Sequence, residues 1–286
     1  MGVILGLIGT TASVLLGFIL AGGPVPVLWQ PNEMIVIGGA AVFSMVTSAP
    51  GSNIKALPKA ILHAVKGSGL DKGSYKDLLG LMASLFDTMR REGVLGIEGD
   101  LSNPKDSARF KKYPKASSNH HLMETLTGAL RLFVDGVVNA FDLEKLLDSE
   151  IETHHEEAAI YPTMVNKLGD AFPGLGIVAA VLGIIITMQH LDGPPQEIGH
   201  HVAAALVGTM LGILFCYGYI GPVASKMDSV VREETAILKC VKAGLVSFAG
   251  GAPPQVALEF ARKMIPSDCR PTTAEVEELL KDAKKA

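Results

Sequence analysis

Between Ala171 and Leu191, and again between Ile198 and Ser225, the chain carries no Asp, Glu, Lys or Arg. It carries small and weakly polar side chains instead. Gly176, Ala180, Gly183 and Thr187 follow at separations of 4, 3 and 4, which puts them on one face of a helix. Ala205, Gly208, Thr209, Gly212 and Cys216 lie on the next apolar run, with a GxxxG from Gly208 to Gly212. Such residues let helix backbones approach closely in a bilayer. Two readings stand at this level. The two runs pack on each other, or they wall a path against a helix of another chain. The second requires that other chain to bring an acid, because an ion crossing hydrocarbon needs a polar or titratable relay.

Pro173 and Pro222 sit at the margins of these runs. Proline removes a backbone donor and ends or kinks a helix. The expectation is a pair at similar depth, either marking helix ends or hinging the membrane part against the soluble part. His154 and His155 stand beside Glu156 and Glu157, but adjacent side chains on a helix point apart, so a solvated face is expected rather than a metal site. His200 and His201 are expected at the outer membrane interface. Cys216, Cys240 and Cys269 fit neither zinc spacing nor a disulfide framework. No phosphate-binding loop or nucleophile elbow occurs, so neither catalysis nor a cofactor or metal is expected. A net charge of -4 with no basic tract argues against a nucleic-acid partner.

The elements that must position these residues follow from hydropathy. Residues 2–22 form an uncharged run, and Met34 to Ala49 a second, shorter one containing Gly38 and Gly39. With the two runs above, these give four expected transmembrane helices of about 20 residues or slightly fewer. A cleaved signal peptide would carry a basic start, yet the first Lys is Lys55, so the first run is expected to remain as a span. The fold expected is an all-α membrane protein. Residues 1–51 hold spans 1 and 2, 52–167 a helical cytoplasmic domain, 168–226 spans 3 and 4, and 227–286 further cytoplasmic helices. Helical patterns are expected from Ser52, over Asp77–Glu92, Leu122–Val138, Phe141–His155, Asp228–Phe248, Gln255–Met264 and Ala274–Lys284. Fifteen Lys and Arg lie between Ser52 and Lys167 and ten from Lys226 onward, against none in 23–33 or 192–199. The positive-inside rule then places both termini in the cytoplasm.

Several ordered segments carry a resemblance. They are QPNE before the second run, RREGVLGIE at 90–98, YP at 113–114, DSEIETH at 148–154 and GDAFPGLGIVAAVLGI at 169–184. VGTMLGILFCYGYIGPVA at 207–224, APPQVALEFARK at 252–263 and RPTTAEVEE at 270–278 complete the set. Across nearly its whole length the chain resembles the flagellar motor stator subunits of the MotA/TolQ/ExbB proton-channel family. The resemblance implies a bacterial inner-membrane subunit, five copies around two of MotB, which supplies the membrane Asp. It implies torque on the rotor protein FliG through Arg90, Glu98 and Glu150, residues that composition alone would leave as surface charges. It matches the hinge prolines to Pro173 and Pro222. The ion-path or partner-helix residues become Gly176, Ala180, Gly183, Thr187, Thr209 and Tyr217. Sodium-using relatives carry a Thr at the site of Ala180; a methyl cannot coordinate a stripped cation, so protons are favoured over sodium. The alternatives are an ExbB- or TolQ-like energiser of an outer-membrane system, which usually has three spans and lacks RREGVLGIE, and a non-conducting membrane scaffold.

Overall fold

The computed structural model describes residues 2–285, and all regular structure among them is helical. In chain order the α-helices begin with α1 (Gly2–Leu20), α2 (Pro31–Met34), α3 (Ala40–Ser48), α4 (Gly51–Lys66) and α5 (Lys72–Glu92). The short α6 (Glu98–Ser102), α7 (Ala108–Lys111) and α8 (Pro114–Ser117) follow, then α9 (His120–Val134) and α10 (Ala140–Met188). The chain closes with α11 (Pro195–Leu214), α12 (Gly221–Ala249), α13 (Pro254–Lys263) and α14 (Thr273–Lys285). Two compact units result: a span unit, Met1–Gly67 with Ala158–Val230, and a core unit, Ser68–Glu157 with Val231–Ala286. Helices α10 and α12 contribute residues to both.

Among the described residues, three helical stretches are long and apolar enough to cross a membrane: Gly2–Leu20, Ala140–Met188 and Pro195–Ala249. The expected second span is helical but divided. A π-helical turn, Ile35–Gly39, joins α2 to α3. A second π-helical turn, Phe215–Ile220, joins α11 to α12 directly before Pro222. A proline in a regular helix leaves one carbonyl without its donor and crowds it. The wider turn changes the pairing there, and the Gly221 amide bonds to the Cys216 carbonyl. Pro162 and Pro173 both lie inside α10. The sequence expectation ended a helix near His155 and began the span after Lys167; instead one helix runs through both. Prolines within membrane helices are tolerated because neighbouring groups satisfy the freed carbonyls.

The core unit is built around α5. Asp71 caps its start: the carboxylate accepts from the Ser74 amide at 2.7 Å while the Ser74 hydroxyl meets the Asp71 amide, a capping box. Gly93, at φ +84, turns the chain at its end, a conformation that costs any residue with a Cβ. Every residue from Leu78 to Met89 is buried. Helices α7, α8, α13 and α14 pack around α5. Phe86 stacks on Phe248 with ring centres 4.4 Å apart.

Candidate functional site

The hairpin α10–α11 is held by backbone approach. A Cβ on Gly212 would lie 2.6 Å from the Phe172 carbonyl oxygen, and one on Gly176 would lie 3.0 Å from that of Gly208. A Cβ on Gly183 would meet that of Ala205 at 2.8 Å. Two of the residues expected to face a partner, Gly176 and Gly183, therefore form the contact between this chain's own helices. Thr187 is buried and returns its hydroxyl to the Gly183 carbonyl at 2.8 Å, the usual way to satisfy a hydroxyl within a helix. Ala180 and Thr209 are half-buried, and Tyr217 is 73% exposed. The surface left for another chain thus includes Tyr217 and the outward Ile177, Val181 and Ile184 rather than the glycine stripe.

The same register corrects the expected depth of the prolines. Gly169 faces Ile220 and Gly221, while Gly176 faces Gly208 and Gly212. Pro173 is thus level with about residue 214, and Pro222 lies roughly eight residues, or ~12 Å, further along the axes. They are not a matched pair at one depth. Pro173 lies inside α10, and Pro222 sits just beyond a π-helical turn. That turn also meets α1, where Tyr219 and Thr11 share a hydroxyl hydrogen bond of 2.8 Å.

An acid comes from an unexpected place. Glu33, in α2, lies against α11: a Cβ on Gly208 would fall 2.7 Å from its Oε2 and 3.4 Å from the Ala179 Cβ. The apolar runs of 171–191 and 198–225 contain no carboxylate of their own, yet α2 brings one to the hairpin wall. Its signal was in the sequence, because Glu33 is the sole charged side chain in residues 1–54. A carboxylate there can take up and release a proton or pair with a cation.

The charged candidates belong to the core unit. Arg90 closes α5 and Glu98 opens α6, both exposed, on either side of the Gly93 turn. Their base is fixed. Ile97, directly before Glu98, is fully buried. Arg109 donates to the Ser84 carbonyl (2.6 Å), the Thr88 hydroxyl (2.6 Å) and Asp100 (2.9 Å), tying α5 to α6. Arg131 donates to the Leu101 carbonyl, and Arg91 pairs with Asp87 at 2.8 Å. Two opposite charges therefore project from one rigid turn. Glu150 is not brought to that turn by any recorded contact; it is half-buried on α10 and accepts from the Thr125 hydroxyl of α9. Lys242 of α12 sits between Asp148 and Glu144, at 2.7 and 3.3 Å. Burial works against its charge, but those hydrogen bonds outweigh it and raise its pKa. Burial, with the neighbouring His121, lowers the pKa of His154.

Comparison with known proteins bears on what these parts serve. Residues 4–93 match the Motility protein A N-terminal family model, and residues 117–239 match that of the MotA/TolQ/ExbB proton channel family. Motility protein A of Salmonella typhimurium is 37% identical over 276 residues, covering 96% of this chain and 94% of its own length. The chain belongs to the MotA/TolQ/ExbB proton channel family, in its motility protein A branch. Membership carries the role of a stator subunit of the flagellar motor. Chemotaxis protein LafT of Vibrio parahaemolyticus is 36% identical over 96% of this chain and 97% of its own. The fold is that of the C. jejuni MotAB structure (TM-score 0.78, 22% identity, 93% of this chain and 96% of that one). The flagellar MotAB stator complex of Bacillus subtilis gives 0.77 at 23% identity, with the same coverage.

Proposed function

We propose that this stator subunit forms half of a proton path and transmits the resulting motion to the rotor. The observation that carries the reading is the full-length relation to motility protein A, over 96% of the chain. In this reading four spans cross the bacterial inner membrane, the divided α2–α3 segment being the second, and both termini and the core unit lie in the cytoplasm. The concentration of all Lys and Arg outside the two short loops supports that orientation. Five copies surround two MotB chains, whose Asp carries the proton past the outer face of the hairpin. Glu33, beside Gly208, supplies a second carboxylate to that wall. The methyl of Ala180 favours protons over sodium.

Proton arrival alters packing against α10 and α11, both of which continue into or adjoin helices of the core unit. Arg90 and Glu98, with Glu150, then push on charges of FliG. One unit charge crossing 100 mV releases about 2.3 kcal/mol, so several protons must act together for each step.

Proton uptake by vesicles holding this chain and an unplugged MotB tests the path. Uptake is expected, and its absence would leave a scaffold. Swimming speed is expected to be independent of external sodium; arrest in its absence overturns the proton assignment. Reversing Arg90 and Glu98 together is expected to reduce torque in a salt-dependent way. Unaltered torque at every ionic strength removes these residues from the rotor contact.

A further inference from the structure

Three imidazoles of the core unit, His120, His121 and His154, have no part in ion flow or rotor contact as derived above, yet they are gathered. His120, His121 and Glu124, all exposed on the first turns of α9, bring one potential ligand atom each within 4.8 Å of the others. Across from them His154 of α10 holds its ring 4.9 Å from that of His121, at 68°. Its Nδ1 is buried and has no hydrogen-bond partner, and a buried polar atom without a partner calls for an explanation. His121, Glu124, Glu150, His154 and Glu157 line one cleft of about 370 Å³.

We propose that a divalent transition-metal site lies at the mouth of this cleft, with His121 and Glu124 as ligands from α9, His154 as the ligand from α10, and His120, beside the cleft, as a fourth. Imidazole nitrogen with a single carboxylate suits Zn²⁺, Ni²⁺ or Co²⁺ and is a poor set for Mg²⁺ or Ca²⁺, which take oxygen. Metal–nitrogen bonds of about 2.0–2.1 Å require the exposed side chains to close on the ion, which freely rotating surface residues can do. A helix N-terminus disfavours a cation, but Glu124, Glu150 and Glu157 set three carboxylates around the cleft. The bound ion would join the start of α9 to the middle of α10, beside the Thr125–Glu150 hydrogen bond.

The test uses the full chain with its partner subunit, purified without a histidine tag, and Co²⁺ as the probe. One equivalent per chain is expected, with the visible absorption of a four-coordinate ion, displaced by Zn²⁺. His121→Ala and His154→Ala are each expected to weaken binding at least tenfold, while His200→Ala in the span unit changes nothing. Pulsed EPR of Cu²⁺ on the unmodified chain reads the ligands without any substitution. Two or more coordinated imidazoles are expected. One or none, or Co²⁺ affinity unchanged in both histidine variants, overturns the site.

Discussion

The two units solve the same problem, packing helices, by opposite means. In the core unit α5 is enclosed by large side chains: Leu78, Leu79, Leu81, Met82, Leu85 and Phe86 are wholly buried. Water drives that burial. In the span unit the α10–α11 contact is made by glycines and alanines whose backbones nearly touch, while Ile177, Val181, Ile184 and Ile185 turn outward. No water is present in hydrocarbon to drive apolar side chains together, so van der Waals contact at close range decides the packing. The span unit buries some large side chains too, Ile37, Phe172 and Leu211 among them, but its closest helix contact is made by small ones.

If that contrast holds, the units fail in different ways. The largest effect is expected for Phe86→Ala, which removes a fully buried ring from its stack on Phe248. It should destabilise the core unit by about 3–5 kcal/mol, read by denaturant unfolding of the core-unit helices. Adding volume is the corresponding insult in the span unit. Gly212→Ala sets a methyl 2.6 Å from a backbone carbonyl that cannot swing away, and should cost about 1–3 kcal/mol, read as a lower thermal midpoint of the complex in detergent. A comparable loss is expected for Gly93→Ala, which forces a Cβ into a backbone conformation, φ +84 and ψ 171, that is essentially confined to glycine, at about 1–3 kcal/mol. The smallest belongs to Gly208→Ala, because the obstructing atom is the end of the Glu33 side chain, which can rotate away. A midpoint within about 0.5 kcal/mol of the parent is expected, the range of substitutions away from fixed features. Were Gly208→Ala to equal Gly212→Ala, the distinction between backbone and side-chain obstruction would fail.

Much of this was legible in the chain. The apolar runs, the end of α5 at Glu92 and the terminal helices α13 and α14 follow from local chemistry, and the structure places them within a few residues of the expected bounds, while α5 starts at Lys72 rather than Asp77 because Asp71 caps it. Three things were not local. The burial of α5 on all sides depends on helices arriving from the far end of the sequence. The offset between Pro173 and Pro222 depends on the register of two antiparallel helices, which counting from the loop misplaces. Glu33 lies against Gly208 because the first connection packs on α11, although its isolation in a charge-free stretch was there to be read. The contact between Gly176 and Gly212 was one of two readings that helical spacing leaves open, since spacing fixes a face without naming its neighbour.

The π-helical turn at Phe215–Ile220 has a consequence for how this region tolerates length change. An α-helix advances 100° per residue, so losing one residue from a regular stretch swings everything beyond it onto another face. A π-helical turn already holds one residue more than the α-helix around it needs. Removing a residue there would let the turn relax to α while the arms on both sides keep their facings. Single-residue deletions within 215–220 should therefore be accepted where deletions in the flanking helix abolish assembly, with Pro222 then crowding a tighter turn.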